Sequence, residues 1–152
     1  MQHIHFFVEQ IKFTLKHKAK HRSWILQTLQ QEKKSLGEIN YIFCSDAFLL
    51  EINTSYLQHN TLTDIITFPI EHSPAPFADK KLKAQVSGEI YISIERVIEN
   101  AAKFQSGFEN ELKRVMIHGV MHLCGYGDKS ASEAIKMRKK EAFYMKRFPV
   151  LS

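Results

Sequence analysis

The chain has 152 residues, 44% of them hydrophobic and 24% charged, which fits one soluble globular domain large enough to bury a core. A formal net charge of +5 suits an acidic partner such as nucleic acid or an anionic membrane surface. Two cysteines, Cys44 and Cys124, are too few for a disulfide framework and form no C-x-x-C pair; no apolar run reaches the roughly 18 residues of a membrane span, and the opening MQHIHFFVEQ lacks the basic and long apolar segments of a signal peptide. The expectation is a cytoplasmic protein with reduced thiols and no membrane partner.

Residues 3–9, HIHFFVE, are aromatic and branched and read as a strand. His3 and His5 alternate there with apolar neighbours, a polar strand face. A basic stretch follows, with Lys12, Lys16, Lys18, Lys20 and Arg22 interleaved by His17 and His21. It leads into a helix over about 19–33 whose apolar stripe is Trp24, Ile25 and Leu29. A solvated face is the bland reading of these charges and contact with phosphates the sharper one. Gly37 is expected to break the helix, and residues 38–45 alternate as a strand. Ser45 or Asp46 then caps a short helix with Phe48, Leu49, Ile52 and Tyr56 on one face. Asn53 and Tyr56 are within reach of a site, although a core Tyr is commoner.

Residues 58–63 are polar and read as a loop, and 64–70, DIITFPI, as a strand. Pro69 cannot donate to a ladder, so that strand lies at an edge or is leaving the sheet. The two prolines and three lysines of 72–85 mark a second loop, and 86–93, VSGEIYIS, a fourth strand. Ser93 caps a helix through Val97, Ile98 and Ala101. Ser106 and Glu109 give the S-x-x-E capping-box pattern at the head of a helix over about 107–124, with Leu112, Val115, Met116, Gly119 and Leu123 on its apolar face. That helix is expected to be central and buried, with Gly119 admitting a close neighbour. Ser130 or Ser132 starts a last helix with Ile135, Met137, Phe143 and Met145 as apolar positions. Four strands and the helices around them predict an α+β fold: one domain over 1–152, a roughly four-stranded mixed sheet covered by helices. Strand order is not readable.

The chemistry concentrates in I-H-G-V-M-H-L-C-G-Y-G-D, residues 117–128. His118 and His122, four apart on a helix, lie one turn from each other on one face. Gly125 can take the left-handed conformation that ends a helix, which lets Asp128 come round as a third ligand. The pattern is the metzincin zinc spacing H-E-x-x-H-x-x-G-x-x-H with Gly119 for the general-base Glu and Asp128 for the third His. Asp oxygen is an ordinary Zn²⁺ ligand, and three protein ligands leave a fourth position for water, whose pKa the ion can bring to roughly 7. Without the Glu, this is a metal hydrolase centre but not a standard protease. A lone H-x-x-x-H arises often by chance; the alternative is a helix with two core-facing or boundary histidines and an exposed Asp. Cys124 is offset from the histidine face and is expected to pack.

Several stretches together resemble the bacterial YbeY family of endoribonucleases, or rRNA maturation factors. They are Ile52-Asn53-x-x-Tyr56, Thr63-Asp64-Ile65-Ile66-Thr67-Phe68-Pro69, Gly88-Glu89-Ile90-x-Ile92-Ser93, the block His118 to Tyr126, and Met137 with Glu141 in M-x-x-x-E. The resemblance covers roughly residues 38–141. It implies a zincin-like α+β domain, a zinc ion and cleavage of single-stranded RNA in ribosome maturation. Two of the family's three histidine ligands carry over onto His118 and His122, and the third falls on Asp128, a harder oxygen donor that also accommodates Mn²⁺ or Mg²⁺. The family's usual Arg after the Tyr of the first block is Leu57 here. Leu cannot clamp a phosphate, so no role carries over to that position. The family's Gly-Asp-Ile appears as Gly88-Glu89-Ile90.

The leading expectation is a metal-dependent, single-strand-specific endoribonuclease acting on ribosomal RNA at the small subunit. One zinc ion, or another divalent metal, would sit on His118, His122 and Asp128, and metal-activated water would attack the phosphodiester. The second expectation is a non-catalytic ribosome-assembly factor that binds rRNA or a ribosomal protein, and Leu57 is the residue in its favour. A metzincin-like peptidase is the third, and Gly119 speaks against it.

Overall fold

The computed structural model describes residues 3–57, 63–70 and 84–149. In chain order these form β1 (Ile4–Glu9), α1 (Lys18–Gln31), β2 (Ser35–Cys44), α2 (Asp46–Leu57), β3 (Ile65–Pro69), β4 (Gln85–Ser93), α3 (Ile94–Phe104), α4 (Phe108–Leu123) and α5 (Ala131–Met145). Most of both loops expected from the sequence, 58–63 and 72–85, lies outside the described residues. The strands make one mixed sheet in the order β1-β2-β4-β3, with β1, β2 and β4 parallel and β3 antiparallel to β4. The expected α+β fold with a four-stranded mixed sheet is what the chain adopts. Pro69 closes an edge strand, where its missing N–H costs no ladder bond.

Strand alternation divides the apolar residues between two faces. Ile39, Tyr41 and Phe43 of β2 and Ile90 and Ile92 of β4 meet Trp24, Ile25 and Leu29 of α1, Leu112, Met116 and Val120 of α4, and Met137 and Tyr144 of α5 in the main core. On the other face Cys44, Ile66 and Tyr91 meet Phe48, Leu49 and Ile52 of α2. Trp24 is fully buried and its indole N–H donates to the Tyr144 carbonyl at 2.7 Å, which ties α1 to α5. Truncating it to Ala is expected to cost about 3–5 kcal/mol.

Helix α4 is the central element, packed on β3, β4, α3 and α5. Two features bring it close to the sheet. The buried Tyr41 hydroxyl donates to the Met116 carbonyl at 3.0 Å. Gly119 faces the sheet, where a Cβ would lie 2.9 Å from Ile90 Cγ2 and 3.1 Å from Ile65 Cδ1. A Glu at that position, as in the protease pattern, has no room.

Four local expectations are corrected. Gly37 does not end α1, which stops at Gln31 with Lys33 turning the chain at φ 60°. Gly37 lies inside β2 at the irregularity between Leu36 and Ile39, where a Cβ would come 2.0 Å from Ser87 Oγ, the acceptor of the Glu38 N–H. The Ser106–Glu109 capping box does not form. The corner into α4 passes through Gln105 and Gly107 at positive φ, so Gly107 becomes the N-cap, Glu109 falls one position short, and Ser106 Oγ is buried with no partner among the described residues. Tyr56 is not a core residue but 70% exposed, its ring edge against Phe68. In α5, Ile135 and Phe143 are exposed and the buried face is Met137, Glu141 and Tyr144. Of the alternatives at 130 and 132, Ser130 is the cap, in a complete box with Glu133.

Candidate metal centre

Arg114, His118 and His122 stand at successive fours along α4 and so share one helical stripe. That stripe looks into a cleft of about 270 Å³ walled on its other side by Thr63, Asp64, Ile65 and Thr67 of β3 and the segment before it. At its foot α4 ends in a Schellman turn: Gly125, at φ 102°, donates to the His122 carbonyl at 3.0 Å, and Tyr126 donates to that of Met121 at 3.0 Å. The positive φ requires Gly. The reversal carries Asp128 back over the histidines.

One carboxylate oxygen, Asp128 Oδ2, lies 3.3 Å from His118 Nε2 and 3.3 Å from His122 Nε2, and all three donors fall within 4.8 Å of one another. Zinc bonds of about 2.0–2.1 Å put neighbouring donors of a tetrahedron roughly 3.3 Å apart, so the spacing fits such an ion. The far sides of both imidazoles are occupied. His118 Nδ1 lies 2.6 Å from Glu141 Oε2, and His122 Nδ1 lies 2.9 Å from the Tyr126 carbonyl. A carbonyl and a carboxylate only accept, so each Nδ1 carries the proton and each Nε2 presents its lone pair to the cleft.

Around this group the charges are dense. Arg114 makes a two-pronged pair with the buried Glu111 at 3.0 and 2.7 Å, reaches Glu141 at 3.4 Å and has Asp64 at 3.7 Å. Its pKa is raised, first by the hydrogen bonds to Glu111. Burial pushes the Asp64 carboxyl up, against the pull of Arg114 and His118. Four carboxylates, from Asp64, Glu111, Asp128 and Glu141, thus surround one guanidinium and two imidazoles. That surplus of negative charge favours a divalent cation at the three donors.

A second network steadies the ligand turn. The Tyr126 hydroxyl donates to Glu32 at 2.6 Å, as do the Tyr144 hydroxyl and, at 3.0 Å, Lys140. Burial alone would raise the Glu32 carboxyl, but these three donors outweigh it and hold it below the usual range. The residue whose carbonyl orients His122 is therefore fixed from its own side chain by α1 and α5.

The structure brings together all three residues singled out in the sequence, His118, His122 and Asp128. Asn53 and Tyr56 do not wall the cleft, and Leu57 stands exposed at the end of α2. Cys124 packs against the core, and burial lifts its thiol to about 11. Sequence reasoning gave no role to Arg114, Glu111, Asp64, Glu141 or Glu32. Arg114 could have been found by its four-residue register with the histidines, and Glu141 by the M-x-x-x-E match.

An open cleft with two helical histidines and a carboxylate, set beside a mixed sheet, is an arrangement that could hold a divalent ion with a position left open, as hydrolase centres do. The family model described as Endoribonuclease YbeY matches residues 3–149. A relative named Endoribonuclease YbeY from Flavobacterium psychrophilum is 49% identical over 144 residues, which is 95% of this chain and 96% of that one. Another of the same name, from Amoebophilus asiaticus, is 49% identical over 142 residues, 93% of this chain and 90% of that one. The solution structure of a Thermotoga maritima protein superposes with a TM-score of 0.61 over 94% of this chain and 88% of that one, at 24% identity, and so shares the fold. The chain belongs to the YbeY endoribonuclease family.

Proposed function

We propose that this chain is an endoribonuclease that cuts single-stranded RNA in ribosomal RNA processing, with a zinc ion held by His118, His122 and Asp128. Family membership and the names of the relatives carry the reaction class. The observation that carries the site is the pair of 3.3 Å approaches of Asp128 Oδ2 to the two Nε2 atoms, with each ring held from its far side through Nδ1 so that Nε2 faces the cleft. A divalent ion bound there supplies an acidified water and neutralises charge on a phosphoryl oxygen. The chain's own residues do the rest. His118 and His122 are locked in tautomer and orientation by Glu141 and the Tyr126 carbonyl. Gly119 leaves no base at the position where the protease pattern has its Glu. Of the two carboxylates that line the cleft, Asp128 serves as a ligand in this reading, and Asp64, its pKa raised by burial, is the one left to take a proton.

The substrate in this reading is RNA of the ribosomal small subunit, and the site of action is the cytoplasm. Among the described residues no helix is long and apolar enough to cross a membrane. The reading as a non-catalytic assembly factor rests on Leu57, and the endoribonuclease names of the relatives weigh against it. The test is metal content of protein purified without added metal, with cleavage of single-stranded RNA measured beside it. Near-stoichiometric zinc, and activity lost both to chelator and in His118→Ala, is the expected result. Activity that persists in His118→Ala would mark a contaminating nuclease and sink the assignment.

A further inference from the structure

A second cleft, of about 570 Å³, opens between the segment leading into α1, the first turns of α1, the N-terminal half of α4 and the end of α5. Lys16, Lys20, Lys113 and Lys146 line it, with Glu109 as the one carboxylate, a local charge of +3 with His17 neutral. Two of these lysines stand out from ordinary surface groups. Lys20 Nζ is buried and has no hydrogen-bond partner among the described residues. Lys113 Nζ sits 4.1 Å above the ring of Phe148. An ammonium withdrawn from water with no acceptor is costly, and an anion in the cleft removes that cost.

We propose that this cleft binds the phosphodiester backbone of single-stranded RNA, a second footing for the substrate outside the metal cleft; this rests on the endoribonuclease reading above. Four ammonium groups drawn from different parts of the chain suit a polymer with an anion at every repeat better than a single small anion. Lysines act on phosphate as point charges and carry no base preference. Nor does Phe148, the one Phe, Tyr or Trp among the described residues lining the cleft, offer a free face for a base. The Phe148 ring is covered by Lys113 and packs edge-on against His21 and Trp24, with centroids at 4.8 and 5.1 Å. The cleft therefore holds RNA without reading its sequence. Lys113 and His118 are five residues apart on α4, about 7.5 Å along the axis and roughly 140° around it, so the two clefts are adjacent but separate.

The test is fluorescence anisotropy of labelled oligouridylate against salt, in chelator so that nothing is cut. Three proteins are compared: wild type, Lys20→Gln/Lys113→Gln/Lys146→Gln, and an equally charge-depleted control, Lys12→Gln/Lys103→Gln/Lys139→Gln, whose sites are exposed elsewhere. The cleft variant is expected to bind at least about tenfold more weakly, with the slope of log K against log salt reduced by about 2, near 0.7 for each phosphate no longer neutralised. A rim variant, Lys16→Gln/Lys146→Gln, which spares Lys20 and Lys113, is expected to lose about 1.4 from the slope. Equal loss in cleft variant and control, unchanged affinity in the cleft variant, or a wild type that does not bind would each overturn the proposal. Cleavage by the zinc-loaded wild type is measured in parallel. A wild type that binds through the cleft but does not cut would topple the nuclease reading alone, and one that cuts while the cleft variant binds normally would topple the cleft alone.

Discussion

The two clefts share helix α4 and are opposite in charge and in finish. On the metal side nearly every polar group has a partner: Glu111 chelates Arg114, Glu141 divides between Arg114 and His118, and His122 is held by Tyr126. On the basic side Lys20 has none among the described residues and Lys113 has only a ring face. On the two readings proposed above, the difference separates two jobs. Chemistry on a phosphodiester needs groups fixed before substrate arrives, because reorganisation during the reaction adds to the barrier. Holding a flexible strand needs charge that adapts. It also follows that the carboxylate-rich metal cleft repels phosphate until a divalent cation is bound, whereas the basic cleft attracts it throughout.

The largest expected effect is that of His118→Ala, which removes a donor and the group that Glu141 grips. Metal binding and RNA cleavage are expected to fall at least about a hundredfold, since losing an outer-shell partner alone costs about 10–100-fold. Oligouridylate affinity in chelator should not change. A matching loss of affinity would mean that the two clefts are one binding surface. Glu141→Gln comes next: it keeps the shape but weakens the charge on His118 Nδ1, and metal affinity should drop by about 10–100-fold with the fold retained. Competition titration with a chromophoric chelator measures it, and wild-type affinity would show that the 2.6 Å contact between Glu141 and His118 serves packing only. Asp128→His is gentler. It exchanges oxygen for nitrogen at the third donor and should keep the cation while shifting preference from Mn²⁺ toward Zn²⁺, whereas Asp128→Ala should lose it. Metal content by mass spectrometry after growth in mixed metals separates these outcomes; an Asp128→Ala protein that retains its metal would remove Asp128 from the site.

How much of this was legible in the sequence depends on distance along the chain. His118, His122 and Asp128 lie on one helix and the turn after it, so local rules of register and helix termination bring them together. Glu32 reaches Tyr126 across 94 positions, and Glu141 reaches His118 across 23; such approaches depend on how α1 and α5 pack. The basic cleft divides in the same way. Lys16 and Lys20 stand out as a charge run, but Lys113 and Lys146 join them only through the fold. The strand order was hidden because β3 comes back antiparallel to the edge of β4. Ser106 misled because the tight corner between α3 and α4 sets the register of α4, and a capping pattern one residue out of place has no amide to accept from.

The smallest expected effect is a dependence of stability on pH, and it sharpens the contrast between the clefts. His21 is buried against Trp24 and Phe148 below the basic cleft; its Nδ1 donates to the His17 carbonyl at 2.9 Å, and its Nε2 is buried without a partner among the described residues. Burial lowers its pKa below the ordinary 6.5, with Lys113 and His17 adding to the shift and Glu109 and the backbone bond opposing it. A folded-state pKa below the unfolded one means that the unfolded chain takes up the proton first. The stability His21 contributes is therefore complete above about pH 6.5 and lost as the pH falls from there toward the folded-state pKa. Melting temperatures between about pH 7.5 and 5.5 should decline, and His21→Gln should flatten the decline whatever it does to the absolute value. Phosphates in the cleft would favour the imidazolium by proximity, so oligouridylate should also shrink the acid loss in wild type and leave His21→Gln unaffected. An acid loss of the same size with and without RNA would place the phosphates too far from His21 to act on its imidazole.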